Sequence, residues 1–318
     1  MATSASLASA MASEATRLNP HNFFPSTFFG TKRRQRAVLV FQGAIHGCEF
    51  EGTVVGLNLL NVLETGRDLR GKPWPTLQRE GSTLRTLVIP FASPDGREHA
   101  PVRHLINASP ELTEWITNGT WKDGKPLKYP SHKAHWPLPT AQIGHIGGYF
   151  NDHGVNLEYD WIHPDPQPET VALKRFYLEE RPDAVLLSHT NAGSWVETPP
   201  PTIPDAFQHQ VQRLSGQVRG RLVREGFGFP RFSWIHEPEW SGPMLTQGAG
   251  VYHLCGALPF VVEFPCGSRP RPFTFEQILD AGLTVMEEIY SFANRDGFRP
   301  LEYWEKVKAQ LEKELARS

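Results

Sequence analysis

A chain of 318 residues is long enough to bury a substantial core, either as one large α/β domain or as two smaller ones. Its 39% apolar and 21% charged content is that of a soluble globular protein, and a formal net charge of −2 supplies no basic face for nucleic acid. Three cysteines, Cys48, Cys255 and Cys266, are too few and odd in number for a disulfide framework, so reduced thiols in a cytoplasmic protein are the expectation, although one bridge remains open. No run approaches the roughly 18 apolar residues of a membrane span.

The opening "MATSASLASAMASEATRLNP" is rich in Ala and Ser and lacks the Leu-dense core of a signal peptide. Residues 1–35 therefore read as a flexible lead-in, and 36–318 as one catalytic-sized domain. Four short runs read as buried strands: "RAVLVFQ" (36–42), "LRTLVIPFA" (84–92), "DAVLLSH" (183–189) and "LPFVVEFP" (258–265). Helical patterns lie between them. "EGTVVGLNLLNVLETG" places Val55, Leu59 and Val62 on one face and ends at a glycine, and "PETVALKRFYLEERPD" is punctuated by proline at both ends. "DAFQHQVQRLSGQVRGRLVREGFG" carries Val211, Leu214, Val218 and Leu222 at helical spacing, and "TFEQILDAGLTVMEEIYSF" opens with a Thr274/Gln277 capping box. The last stretch holds Leu301, Trp304, Val307, Leu311 and Leu315 on one stripe.

Strands alternating with helices predict a central, largely parallel sheet with helices on both faces. Residues 105–145, rich in Trp, Pro, His and Gly, break this rhythm and read as a long loop insertion that forms a wall or lid.

"GAIHGCEFEG" (43–52) follows the first strand and holds His46 and Glu49 three positions apart. His-x-x-Glu alone is weak, since roughly one such pair is expected by chance. "HEPE" at 236–239 has the same spacing but straddles a proline, with no strand leading in. His46 instead stands between a strand and a helix, at the carboxyl edge of a sheet, where α/β proteins bind ligands. A catalytic zinc needs three protein ligands, and His, His and Glu is one established set. His189 closes another apolar strand in "DAVLLSHTNAG" and is the second histidine in the corresponding position. The chemistry also needs a base. Glu263 is the lone acid in "PFVVEFPCG", costly there without a partner, or else a strand end facing solvent. Cys48, between the two ligands, reads as a small packed residue rather than a fourth ligand.

These pieces resemble the zinc carboxypeptidase family, in order over residues 36 to about 290. "GAIHGCE" resembles its first zinc motif, "SPDGRE" (93–98) its Asn-Pro-Asp-Gly turn, and "GVNLEYDW" (154–161) its Gly-Val-Asp-Leu-Asn-Arg-Asn-Phe segment. "PQPETVALKRFYLEERPDAVLLSHT" resembles the helix leading into the third ligand, and "VVEFP" the strand of the general base. The resemblance implies a three-layer α/β/α sandwich around a mixed, mostly parallel sheet. It also implies one zinc ion on His46, Glu49 and His189, with Glu263 as base.

The departures bear on substrate. Where the family's Asn-Arg pair grips a peptide's terminal carboxylate, this chain has Glu158 and Tyr159, and an acid and a phenol cannot replace a guanidinium fork. Arg269, Arg271 or Arg231 could take over the anchor; otherwise Glu158 favours a neutral or cationic group. The family's closing tyrosine has no counterpart before Tyr252, so that Tyr252 or His253 is left to contact substrate. Arg97 and Arg103 both follow the Pro-Asp-Gly turn, and spacing favours Arg103 as the carbonyl-polarising cation. The reading is a zinc-dependent amide hydrolase, carboxypeptidase-like, acting on a small peptide or acylated small molecule, with no nucleic-acid or membrane partner. Two alternatives stand beside it: an acyl-amino-acid deacylase or esterase similar to the succinylglutamate desuccinylase and aspartoacylase group, and a binding protein on a degenerate peptidase fold.

Overall fold

The computed structural model describes residues 36–299, apart from 129–130, 192–194, 197–201, 228–245 and 271, together with 312–313. The lead-in, the "HEPE" pair, Arg231, Arg271 and the C-terminal stripe all lie outside the described residues.

The four apolar runs form the strands β1 (Val38–Gln42), β2 (Arg85–Ile89), β5 (Ala184–Asn191) and β7 (Leu258–Pro265). With the short β6 (Trp195–Val196) they make a five-stranded sheet in the order β2-β1-β5-β7-β6. All pairs are parallel except β6 with β7. Sequence neighbours are thus not always spatial neighbours, and the crossovers are helices, as parallel pairing requires.

One face of the sheet carries α1 (Phe50–Thr65), α6 (Asp205–Arg224) and α8 (Phe275–Asp296). Leu39, Phe41, Leu186, Phe260, Val262 and Phe264 point into this larger core, against Val55, Leu59, Val218 and Ile289. The opposite face carries α5 (Pro168–Glu180) and α7 (Gln247–Cys255), which bury Val40, Val185 and Leu187 under Leu173, Tyr177 and Val251. Alternate residues along each strand serve alternate layers, so near-continuous apolar runs were required. This is the α/β/α sandwich that the sequence pattern predicts.

Helix ends follow local chemistry. The α1 helix stops at Gly66, which takes the left-handed conformation (φ 78°) and returns its N–H to Val62 O. At α8 the Thr274 side chain accepts from Gln277 N while Gln277 accepts from Thr274 N, the reciprocal cap expected from the sequence. At the end of β1, the side chains of Gln42 and Gln247 pair reciprocally (3.0 and 2.8 Å), and the Tyr177 hydroxyl donates to Gln42 Oε1.

The segment at 105–145 differs from the expected loop. It holds α4 (Pro110–Asn118), opened by a Ser109 cap, and an antiparallel pair of β3 (Gly119–Trp121) with β4 (Ile143–Ile146). A small core of Leu127, Leu138, Ile143 and Phe150 supports it. These elements are short and their apolar residues irregularly spaced, so no period announces them. Two more helices among the described residues are α2 (Pro75–Gly81) and α3 (Pro94–His99).

Candidate metal centre

The site forms where β1 and β5 end. After Gln42 the chain turns through Gly43–Glu49, with Ala44 held at φ 48°, a costly conformation for a residue with a Cβ. Gly47 N donates to Gly148 O (2.8 Å), and a Cβ at Gly47 would lie 1.9 Å from Arg97 N. Only glycine lets α3 and the 147–150 strand exit clamp this turn from both sides. The clamp fixes His46 before α1 begins, with Glu49 at the helix's N-cap position.

His46 Nδ1 lies 3.0 Å from Glu49 Oε1, and His189 Nδ1, from the end of β5, lies 3.3 Å from Glu49 Oε2. The three side chains are 2–8% exposed, and one ligand atom from each falls within 4.8 Å of the others. Among the described residues this is the one cluster of its kind. Burial alone would push Glu49 up, but the charges of His46 and His189 outweigh it and hold Glu49 well below the usual carboxylate range. Burial likewise pulls both imidazoles down, and Glu49 together with Glu158 more than reverses this, so both rise. The pocket therefore favours positive charge at its centre.

This donor set fits zinc: two imidazoles and a carboxylate, buried, converging on one point. The far nitrogen of His46 adds to the fit. Nε2–H donates to Asn156 Oδ1 (3.2 Å), and that oxygen also accepts from Glu158 N (3.0 Å). An acceptor behind Nε2 leaves Nδ1 as the ligating atom. Asn156 was not singled out in the sequence; its signal was its place in "GVNLEYDW", where the resembling segment has Asp.

Glu263 is 8% exposed, so it does not face solvent at a strand end. In the β5–β7 ladder it is the direct partner of His189, and both side chains fall on the same sheet face, that of Val185, Leu187 and Val261. The base candidate and a ligand candidate are thus fixed beside each other by backbone pairing. Next to Glu49, in the first turn of α1, Glu51 is also buried and accepts from Thr190 Oγ1 (2.8 Å); burial raises it to about 7.

The remaining candidates divide. Glu158 is brought to the site: its Oε2 lies 3.4 Å from His46 Nε2. Tyr159, its neighbour, is buried at 6% exposure. Arg97 belongs to α3 beside the ligand turn, but its guanidinium donates to Ala100 O (2.6 Å) and stacks over Phe50 (4.6 Å). Arg103 is exposed, and exposed Arg269 donates through Nε to Asn107 O (3.0 Å). Tyr252 is packed in the larger core against Phe207, away from the face that carries His189 and Glu263, and the half-buried His253 points Nε2 at Thr202 O (3.2 Å). Cys48 is buried with Phe50, Ala100 and Leu105, as a packed residue. A residue that sequence reasoning missed, Tyr149, sets its ring edge-on against His46, with centroids 4.4 Å apart at 76°. It comes from the segment just after β4, beyond the 105–145 stretch.

Comparison with solved structures gives the fold. A metallo-carboxypeptidase from Burkholderia cenocepacia matches with a TM-score of 0.52 and 14% identity, over 83% of this chain and 58% of that one. A carboxypeptidase from Burkholderia mallei, putative in its own description, matches at 0.53 and 13%, over 83% and 58%. A metallo-carboxypeptidase from Pseudomonas aeruginosa, in complex with (2-guanidinoethylmercapto)succinic acid, matches at 0.51 and 14%, over 85% and 60%. No family model matches the sequence, and no curated protein does. The chain has the fold of these metallo-carboxypeptidases, in divergent form, with a His-Glu-His cluster in it. It spans less than two thirds of the length of the solved structures it matches.

Proposed function

We propose that the protein is a zinc-dependent hydrolase of an amide bond, acting on a small peptide or an acylated small molecule. The observation that carries this reading is the convergence of His46, Glu49 and His189 within 4.8 Å, with Glu263 paired to His189 on the adjacent strand. A zinc ion on those three side chains supplies a Lewis acid that acidifies water and polarises a carbonyl. His46, oriented through Asn156, His189, fixed at its strand end, and Glu49 would hold the ion. Glu263 takes the proton of the attacking water and returns it to the departing nitrogen.

The test is a mass-spectrometric assay of the zinc-loaded protein on a pool of short peptides and acyl-amino acids, with Glu263→Gln as control. Cleavage that needs both zinc and Glu263 is the expected outcome. Full zinc occupancy with no cleavage of any amide in the pool would overturn the reading and leave a binding protein on this fold.

A further inference from the structure

We propose that residues 23–29 of the N-terminal segment dock on the open edge of the sheet, as an antiparallel strand beside β2. Among the described residues β2 is an edge strand, paired with β1 alone. β1 is buried at all five positions, whereas Leu87, Val88 and Ile89 of β2 are only partly covered. Arg85 N donates to Ala37 O (2.9 Å) and Ile89 O accepts from Gly43 N (2.8 Å), so Arg85, Leu87 and Ile89 turn their backbone groups to β1. In a parallel ladder the alternate residues, Thr86 and Val88, then direct theirs to the outer edge. An apolar edge of this kind is a template for another strand, and natural sheets cover it.

Beside the edge runs an apolar groove of about 620 Å³, lined by Leu60 and Leu63 of α1 and by Leu84 and Thr86. Arg36, the first described residue of the chain, lines the same groove. Exposed Leu57 and Phe91 continue it toward the far end of β2, where Thr53 Oγ1 donates to Pro90 O (2.7 Å). From Thr53 to Leu63, α1 covers about 15 Å at 1.5 Å per residue. The chain entering at Arg36 carries a match to this strip. "FFPSTFF" (23–29) holds its phenylalanines in two pairs, Phe23 with Phe24 and Phe28 with Phe29. As a strand, the two pairs stand about 17 Å apart, the length of the strip. Neighbouring residues of a strand face opposite ways, so each pair gives one ring to the flank of α1 and one to the layer of Leu87 and Ile89.

The connection is also the right length. Residues 30–35, "GTKRRQ", have to pass beneath the start of β2 and cross two strand spacings, about 10 Å, well within the reach of six residues. A chain that passes there and then rises into β1 must first have descended along β2, which makes the added strand antiparallel. Pro25, without an N–H, is tolerated on an outermost strand. The strand so covered also braces the ligand turn, through the bond from Gly43 N to Ile89 O.

Two experiments on the full chain test this. In amide-resolved hydrogen exchange, Thr86 and Val88 should exchange about 100-fold or more slowly in the unaltered chain than in Phe24→Asp/Phe28→Asp, with Leu7→Asp as a control that leaves them unchanged. Equal exchange in the unaltered chain and the double variant overturns the proposal. The second experiment needs no destabilising change. A photoreactive benzoylphenylalanine replaces Phe28 or Phe29 in turn, and cross-links are mapped by mass spectrometry in an equal mixture of unlabelled and heavy-isotope copies. Cross-links within one copy, from one position to Leu60, Leu63 or Leu84 and from the other to Leu87 or Ile89, are the expected result. Cross-links between labelled and unlabelled copies would place a second copy on the edge, and cross-links scattered over the surface would leave the segment undocked; either overturns the proposal.

Discussion

Gly52 sets the distance between the two elements that bear the metal centre. A Cβ built there would lie 1.5 Å from Ser188 Oγ and 2.5 Å from Ser188 Cβ, where non-bonded atoms need about 3.5 Å. Ser188 is 1% exposed within β5, and its Cβ, unlike its Oγ, cannot turn away by a rotamer change. Gly52→Ala therefore drives α1 off the sheet by about 1–2 Å, at an overpacking cost of about 1–3 kcal/mol. Glu49 lies just before α1 and His189 follows Ser188, so the same movement opens the 3.3 Å contact between Glu49 Oε2 and His189 Nδ1. Urea unfolding of the metal-free protein measures the first effect. Competition with a chromophoric chelator measures the second, with zinc affinity expected to fall more than tenfold. Ser188 Oγ makes no hydrogen bond among the described residues, so Ser188→Gly removes the obstructing atoms with no bond lost. The double variant Gly52→Ala/Ser188→Gly should recover zinc affinity, keeping a stability deficit of about 1 kcal/mol from glycine in a strand. A Gly52→Ala protein as stable and as zinc-avid as the parent would refute the reasoning.

Two further changes probe the surroundings of the ligands. Glu51 is raised from 4.5 to about 7 by burial, so the folded state prefers its neutral form and loses stability as pH rises from about 4.5 to about 7. In metal-free protein, Glu51→Gln should match the parent near pH 4.5 and exceed it by up to about 3 kcal/mol at pH 8; a difference that does not vary with pH would sink the argument. Asn156→Ala removes the acceptor behind His46 Nε2 and should cost about 10–100-fold in zinc affinity, whereas Asn156→Asp keeps the acceptor and most of the affinity. Chelator competition decides this one as well, and equal losses in both variants would contradict the assigned role.

What the sequence disclosed and what it withheld have physical causes. β1, β5 and β7 are covered on both faces, so their apolar runs stand out, and the long helices α6 and α8 carry their own period. His46, Glu49, His189 and Glu263 were legible because each is a polar interruption at the end of, or within, such a run. The pair β3 and β4 was not, because a strand of 3–4 residues has too few alternations to register. Asn156 and Tyr149 owe their importance to what they touch across 110 and 103 positions of chain, respectively, and residue type at a single position does not report that. The arginines show the converse. Spacing favours Arg103 over Arg97, whereas the packing of α3 on Gly47 puts Arg97 beside the ligand turn and Arg103 is exposed.

The pairing of His189 with Glu263 has a consequence for how the site fails. Their separation is the spacing of adjacent strands, about 4.8 Å, held by the hydrogen-bond ladder between β5 and β7 rather than by side-chain contacts that could loosen singly. Heat or denaturant cannot gradually detune the interval from the proposed base to the proposed ligand; the ladder is either intact or gone. A slip of one residue would not widen it either, since it would send Glu263 through to the opposite layer, among Phe260, Val262 and Phe264. The backbone interval between the two residues is thereby quantised, and it shares its melting point with the sheet.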